Sequence, residues 1–242
     1  MADFPGNAWT WCPSSRAGLA ESPRFFGRRR GKRLRVAGRD RFARILPALA
    51  IAPPPPGSRI DPASLFPRRP GEVWLEIGFG GGEHLAWQAA RHPEIGIIGC
   101  EVFVNGIASL LGHVEAQGLD NVRVFPEDAR LLMPALPDGG IGRAFVLFPD
   151  PWPKKRHIER RFVGPDNLDQ LARLLAPGAE LRIATDDPTY QKWAREQMAR
   201  HPDFQDLTGE ATAKPDDWPA TRYEEKALAA GRQPHYLVYR RR

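Results

Sequence analysis

Short apolar segments alternate with longer amphipathic segments along the chain from Gly71 onward. Apolar runs bounded by glycine or proline are typical of buried strands, and amphipathic runs are typical of helices. The pattern predicts strands at residues 73–77, 96–100, 122–125, 141–148, 180–185 and 235–240. It predicts helices at residues 84–91, 106–117, 130–136, 165–175 and 188–201. This alternation indicates an α/β, Rossmann-like fold, in which a mostly parallel twisted sheet carries helices on both faces.

The residues before Gly71 lack this alternation of strand and helix patterns. Residues 1–23 contain Gly, Pro, Ser and Trp without periodicity, which predicts a disordered extension. Residues 24–56 predict a basic arm, too highly charged to fold alone, with a short helix at 40–50 and a proline linker at its end. Residues 57–242 then indicate one large domain, for which a chain with 42% hydrophobic residues has sufficient core.

The composition narrows the class of protein further. The formal net charge of +6 favours a polyanionic partner such as nucleic acid, and the sequence indicates no obligate protein partner. No apolar run is long enough to cross a membrane, and the N-terminus lacks the pattern of a secretory signal. Cys12, Cys100 and the scattered histidines lack metal-ligand spacing, so we expect no metal and two free thiols in a reducing cytoplasm.

A glycine-rich turn that contains Gly78 and Gly80 lies between the first predicted strand and the first predicted helix. In this context glycines allow a tight turn and the close approach of a nucleotide-type ligand to the backbone. A glycine pair alone is also common in ordinary strand-to-helix turns. The second strand, however, leads into Glu101, at a position where a carboxylate can bind the two hydroxyls of a ribose.

Acidic residues near this turn favour a cationic cofactor over a dinucleotide. Glu76 lies two residues before the first glycine and Glu83 opens the helix, so a pyrophosphate would meet two negative charges. S-adenosyl-L-methionine instead carries a sulfonium and an ammonium group. Asp128, after the third strand, could accept a hydrogen bond from an adenine amino group, but an aspartate there is equally typical of a helix N-cap.

A proline-rich turn follows the fourth predicted strand and contains Asp150 and Trp152. The prolines restrict the backbone, so both side chains should be held beside the cofactor site. An aromatic ring next to a carboxylate suits a flat heterocycle, because the ring can stack while the acid accepts from an N–H edge. The basic residues that follow are expected to meet phosphates: Lys154, Lys155, Arg156, Arg160 and Arg161.

Together these motifs resemble the bacterial tRNA (guanine-N7-)-methyltransferase family from about residue 25 to the C-terminus. The most specific segment is FPDPWPKKRH at 148–157. The other matching segments are FGRRRGK at 26–32, LEIGFG at 75–80, GCE at 99–101, ATD at 184–186 and TRYE at 221–224. The resemblance implies a class I methyltransferase fold, S-adenosyl-L-methionine as cofactor, and N7 of a guanine in the variable loop of tRNA as methyl acceptor.

The resemblance also implies roles for individual residues, with Asp150 as the catalytic one. The cofactor would be bound by Glu76, Gly78, Gly80, Glu101, Asp128 and Asp150. The substrate would be bound by Lys154, Asp186, Thr221, Arg222, Tyr223 and Glu224. Further RNA contacts would come from Trp152, Lys155, Arg156, Arg28, Arg29, Arg30 and Lys32.

Spacing alone leaves simpler roles open for the late motifs. Asp186 could be the N-cap of the helix that begins near residue 188, and Thr221 with Glu224 has the spacing of a capping box. Other functions also remain open. They are a methyltransferase for rRNA, protein or a small molecule, a non-catalytic RNA-binding protein, and, more distantly, a nicotinamide-dependent dehydrogenase.

Overall fold

The computed structural model describes residues 25–208 and 212–242, so the predicted extension at 1–23 lies outside the described residues. Seven strands form one sheet in the order β3-β2-β1-β4-β5-β7-β6. In chain order they are β1 (Glu72–Ile77), β2 (Ile95–Cys100), β3 (Val122–Phe125), β4 (Ile141–Leu147), β5 (Leu175–Thr185), β6 (Phe204–Asp206) and β7 (His235–Arg241). The five neighbouring strands β3, β2, β1, β4 and β5 pair in parallel, whereas β7 pairs antiparallel with β5 and β6.

The α-helices of the described chain precede or connect these strands. They are α1 (Val36–Arg44), α2 (Leu46–Leu49), α3 (Glu83–Arg91), α4 (Val104–Gln117), α5 (Ala129–Leu132), α6 (Pro165–Leu174), α7 (Pro188–Arg200) and α8 (Arg222–Ala229). Short 3₁₀ helices lie at Pro62–Leu65, Met133–Ala135 and Lys155–Arg160. Within the described residues, no helix combines the length and apolarity that crossing a membrane requires.

Both faces of the sheet are covered by apolar side chains, which explains why the central strands are continuous apolar runs. On one face, Leu75 and Val146 pack with residues of α6 and α7. On the other face, Trp74 and Ile97 pack with residues of α3 and α4. The predicted α/β, Rossmann-like architecture is therefore confirmed.

The sheet topology also determines where a ligand can bind. β1 lies between β2 and β4, so the chain order reverses direction across β1. In open α/β sheets, the crevice outside the carboxyl ends of the strands at such a reversal is the usual ligand site. The glycine-rich turn after β1 and the proline-rich turn after β4 both lie at this edge.

Several elements differ from the sequence prediction. The helix expected at 40–50 is instead α1, which starts earlier at Val36, followed by α2; Pro47 has no N–H with which to continue the hydrogen bonding of α1. β5 begins at Leu175 instead of residue 180, with a register shift against β4. β6 was not predicted, because two of its three residues are exposed and the strand lacks an apolar run.

Candidate active site

A cleft of about 390 Å³ opens at the carboxyl ends of β1, β2 and β4. Its walls come from the glycine-rich turn, the turn after β4, the arm and α8. The predicted site residues that line it are Gly78, Gly80, Glu101, Asp128, Asp150, Trp152, Tyr223 and Arg28. The fold thus brings together residues that are widely separated in the sequence.

Glu101 is fixed to the floor of the cleft by the backbone. One of its carboxylate oxygens accepts from the N–H of Gly80, and the other accepts from the N–H groups of Val102 and Phe103, each at 2.8 Å. Burial raises the pKa of Glu101, and these three donors oppose that rise. A carboxylate offers about four acceptor positions, so one remains for a ligand.

Tyr223 closes the cleft above the glycine-rich turn. Its ring is stacked on Phe148, with centroids 6.3 Å apart and planes at 16°. Gly80 has a φ of +57°, and a Cβ at this position would lie 2.5 Å from the Tyr223 ring. Glycine at residue 80 therefore serves two needs, a left-handed backbone and room for Tyr223.

The start of α8 confirms the capping-box interpretation. The Thr221 hydroxyl accepts from the Glu224 N–H, and the Glu224 carboxylate accepts from the Thr221 N–H. Lys214 forms an ion pair with Glu224 at 3.1 Å, and Arg222 forms one with Glu83 at 3.6 Å. Thr221 and Glu224 are buried and hold the start of α8, and thereby Tyr223. Their predicted contact with the substrate stays a prediction.

Asp128 is both a cleft residue and a helix cap. Its carboxylate accepts from the backbone N–H of Arg130, as the N-cap interpretation predicts, and also forms an ion pair with the Arg130 side chain at 2.6 Å. The side chain is 8% exposed. Its predicted contact with an adenine amino group stays a prediction.

The turn after β4 holds Asp150 between two residues with unusual backbone angles. Phe148 has a φ of +49° and Trp152 a φ of +41°, in the left-handed region that non-glycine residues seldom occupy. Such conformations are often found at functional sites. Asp150 remains exposed to the cleft, yet the surrounding protein excludes part of its water and raises its pKa.

Arg161 maintains this turn from a buried position, and its expected contact with a phosphate stays a prediction. Its guanidinium donates to the carbonyl oxygen of Pro151 at 2.7 Å and to the hydroxyl of Thr189 at 3.3 Å. The residue is only 7% exposed and lies against the ring of Trp193. It therefore connects the turn to α7, while Lys154, Lys155 and Arg156 are exposed beside it.

Glu76 does not line the cleft. Its carboxylate lies 2.7 Å from His84 Nδ1 and is 1% exposed, on the α3 side of the sheet. Strand alternation explains this direction, because Glu76 shares a face of β1 with Trp74. Its predicted contact with the cofactor stays a prediction, and the acidic character of the cleft comes from Glu101, Glu127, Asp128, Asp150 and Glu159.

Asp186 does not cap α7, so that interpretation is wrong. The N-cap is Asp187, whose carboxylate accepts from the N–H groups of Thr189 and Tyr190. Asp186 instead accepts from Arg232 at 2.7 Å. The predicted substrate contact of Asp186 remains a prediction.

The N-terminal part of the arm, residues 25–32, crosses the mouth of the cleft. Arg29 forms an ion pair with Glu127 at 2.8 Å, and the Gly31 N–H donates to the Asn105 side chain. The Arg160 guanidinium lies 4.2 Å from the Phe26 ring centroid and 5.1 Å from that of Trp152. Sequence reasoning missed Phe26, Glu127 and Asn105, although an aromatic residue beside the arginines of the arm was a usable signal.

Comparisons with known proteins agree with this geometry. A family model described as "Putative methyltransferase" matches residues 70–237. A tRNA (guanine-N(7)-)-methyltransferase of Paramagnetospirillum magneticum is 59% identical over 226 residues, 92% of this chain and 94% of that protein. Its namesake in Rhodospirillum rubrum is 52% identical over 227 residues, 92% of this chain and 89% of that protein.

One solved structure supports the fold alone. The crystal structure of PH0851 has a TM-score of 0.52 and 16% identity, with 71% of this chain and 43% of that chain covered. Its architecture agrees with the α/β, Rossmann-like fold described above. The matching family model and the two relatives together show that this chain is a member of the tRNA (guanine-N7-)-methyltransferase family, with a class I methyltransferase fold.

Proposed function

We propose that this protein transfers a methyl group from S-adenosyl-L-methionine to N7 of a guanine in the variable loop of tRNA, in the cytoplasm. The observation that carries the proposal is the cleft itself, where Glu101 and Asp150 face the glycine-rich turn at the edge of the sheet. The relatives named as tRNA (guanine-N7-)-methyltransferases support the choice of acceptor.

The residues of the cleft fit the cofactor. A volume of about 390 Å³ lies within the range of roughly 300–1,000 Å³ that is usual for small-molecule sites. A Cβ at Gly78 would meet no atom within 4 Å, so the backbone there borders open space. Glu101 retains an acceptor position for ribose hydroxyls, and the surrounding carboxylates suit the positive charge of the cofactor.

The reaction makes limited demands on the protein. Guanine N7 has a free lone pair and no proton to lose, so no general base is obligatory. When bound, S-adenosyl-L-methionine supplies the electrophilic methyl group. The protein aligns acceptor and donor, which can account for much of the rate.

Asp150 would stabilise the guanine as positive charge develops on its ring. Its carboxylate would also accept a hydrogen bond from the N1–H or the amino group of the base and so orient N7. Trp152, beside it, offers an aromatic surface on which an unstacked base could lie. Exposing the base costs about a few kcal/mol, which these contacts would help to offset.

The basic residues of the arm, of α1 and of the segment 154–156 include two groups. Arg29, Arg41 and Arg44 form ion pairs with Glu127 or Glu115 and thereby fix the arm and α1 to the domain. A second group is exposed and is available for phosphates. It consists of Arg28, Arg30, Lys32, Lys154, Lys155 and Arg156.

The proposal is tested by methyl transfer from labelled cofactor to unmodified tRNA, with the product nucleoside identified by mass spectrometry and chromatography. N7-methylguanosine in the variable loop is the expected product. A different methylated nucleoside would support the cofactor assignment but contradict guanine N7 as the acceptor. Cofactor binding without transfer to any tRNA would contradict the proposal and direct the search to rRNA and protein.

A further inference from the structure

A chain of buried polar side chains outside the cleft connects β1 through α3 to residues 212–221 before α8. Glu76 Oε2 lies 2.7 Å from His84 Nδ1, and His84 Nε2 lies 3.2 Å from Gln88 Nε2. The same Gln88 nitrogen donates to the carbonyl oxygen of Asp217 at 3.0 Å. The exposed fractions of Glu76, His84 and Gln88 are 1%, 2% and 0%.

The available donors determine the direction of these hydrogen bonds. The amide nitrogen of Gln88 carries two hydrogens, one for the Asp217 carbonyl and one for His84 Nε2. Because Nε2 then accepts, the proton of the neutral imidazole lies on Nδ1 and is donated to the Glu76 carboxylate. From Gln88 through His84 the donors therefore point toward Glu76, while the second N–H of Gln88 points the other way, toward Asp217.

Packing alone does not explain Gln88. Within the described part of the protein, its Oε1 atom is buried without a hydrogen-bond partner. Leaving a polar atom in this state is unfavourable, so the contribution of this side chain lies in the two hydrogen bonds that its Nε2 donates to His84 and to Asp217. A buried side chain that carries this cost and joins α3 to the segment before α8 is a candidate for a positioning role.

Both ends of the chain lead back to the cleft. Glu76 lies two residues before Gly78, at the start of the glycine-rich turn. At the other end, the Asp217 carboxylate forms ion pairs with Arg182 at 2.8 Å and with Arg143 at 3.5 Å. The neighbouring Trp218 packs against the His84 ring at 5.2 Å, and α8 starts a few residues later.

We propose that His84 and Gln88 are positioning residues for methyl transfer. They fix the start of α8, and with it Tyr223, relative to the glycine-rich turn. The inference rests on the proposed function, since it assigns the turn to the cofactor and the Tyr223 side of the cleft to the acceptor. It adds to that function a buried connection through which the two sides keep their alignment.

The Gln88→Met variant tests the connection at nearly constant volume. It removes the unpartnered Oε1 but also takes the donor away from the Asp217 carbonyl and from His84 Nε2, so its melting curve checks that it folds. At saturating cofactor and tRNA we expect the single-turnover rate to fall about tenfold, less than the roughly hundredfold that a 1 Å misplacement costs. Cofactor affinity should change by less than about twofold, since the bond between His84 and Glu76 is kept.

Two substitutions of His84 separate the ends of the chain. The His84→Asn side chain can still donate to Glu76 but cannot reach Gln88, so it should reproduce the rate loss of Gln88→Met with near-normal cofactor affinity. The His84→Phe side chain leaves the Glu76 carboxylate without its donor, so it should weaken cofactor binding as well. Equal cofactor affinities in the two variants would overturn the assigned direction of the chain.

Gln197→Met is the matched control, because Gln197 is also a buried glutamine on a helix, α7, outside the cleft. It should leave rate and cofactor affinity unchanged. A wild-type rate for Gln88→Met in an enzyme that methylates tRNA would overturn the inference and leave the proposed function intact. Absence of transfer by the wild-type enzyme would refute the proposed function itself.

A double variant tests whether the effect passes through α8. If Gln88 acts by positioning Tyr223, then adding Gln88→Met to Tyr223→Ala should lower the rate little further. Rate losses that multiply in the double variant would show that Gln88 acts by another route, which contradicts the proposal.

Discussion

At the residue scale, the role proposed for Asp150 depends on whether its carboxylate is ionised. The protein around it raises its pKa, so the folded state holds the proton to a higher pH than the unfolded chain does. Ionisation of Asp150 therefore lowers the free energy of unfolding as the pH rises from the ordinary aspartate range through this raised pKa. An uncharged side chain at residue 150 avoids that loss.

We accordingly predict that Asp150→Asn lowers the single-turnover rate by about a hundredfold, the size of effect seen when one electrostatic group is removed from an active site. Its melting temperature at neutral pH should equal or exceed that of the wild type. The exposed Asp166, at the start of α6, provides the control substitution Asp166→Asn. A near wild-type rate for Asp150→Asn would remove the catalytic role.

The same substitution also gives a pH test. The wild-type rate should fall as the pH is lowered through the raised pKa of Asp150, because the protonated acid no longer stabilises a cationic ring. Burial also raises the pKa of Glu101, so two groups can contribute to this decline. In Asp150→Asn only the contribution of Glu101 should remain, and an unchanged profile would contradict the assignment.

Gly78 and Gly80 of the glycine-rich turn allow backbone strain to be compared with the loss of a side-chain contact. Both have positive φ angles, but a Cβ at Gly80 would meet the Tyr223 ring while one at Gly78 would meet nothing within 4 Å. We predict that Gly78→Ala lowers the free energy of unfolding by about 1–2 kcal/mol, from backbone strain alone. Gly80→Ala should lower it further in denaturant unfolding, and Tyr223→Ala should reduce the difference. Equal losses of unfolding free energy in Gly78→Ala and Gly80→Ala, with no effect of Tyr223→Ala, would contradict the contact between residue 80 and Tyr223.

The sequence predicted residue roles that depend on partners nearby in the chain, but not those that depend on distant partners. The capping box of Thr221 and Glu224 was predicted because both partners lie within one helical turn. The cap of α7 was placed one residue too early, since Asp186 and Asp187 are both suitable acids. The ion pair between Asp186 and Arg232 joins distant parts of the chain, so spacing could not predict it.

At the element scale, the central strands were predictable because they are buried on both faces and leave continuous apolar runs. Residues 122–125 match β3 at both ends, and the other parallel strands near the cleft differ by one residue at an end. β6 has no such run, and the arm follows no hydrophobic period. The arm is placed instead by the Arg29–Glu127 ion pair and by Phe26 against Trp152 and Arg160, which are contacts between distant segments.

The arm also yields a prediction about tRNA binding. Arg28→Ala/Arg30→Ala should lower the slope of log Kd against log salt concentration by about one for each lost phosphate contact. The control is Arg41→Ala/Arg44→Ala, in which both arginines already form ion pairs with Glu115. Binding would be measured over a series of salt concentrations. Equal slopes for the two double variants would show that exposed arm residues are not phosphate contacts.

At the scale of the whole molecule, the cleft connects parts that the chain order separates. Its lining comes from the arm, from β1, β2 and β4 with the turns that follow them, and from α8 near the C-terminus. A ligand in this cleft therefore contacts elements on both sides of the reversal point in the sheet. Because the unfolded chain has no such site, binding should stabilise the entire domain.

We predict that S-adenosyl-L-methionine at one hundred times its dissociation constant raises the free energy of unfolding by about 2.7 kcal/mol. A nicotinamide dinucleotide at the same concentration should give no rise, because its pyrophosphate would face the carboxylates of Glu101, Asp128 and Asp150. Denaturant unfolding with each ligand, beside calorimetric binding, makes the comparison. Stabilisation by the dinucleotide alone would favour the dehydrogenase alternative, whereas stabilisation by neither would contradict a cofactor site in the cleft.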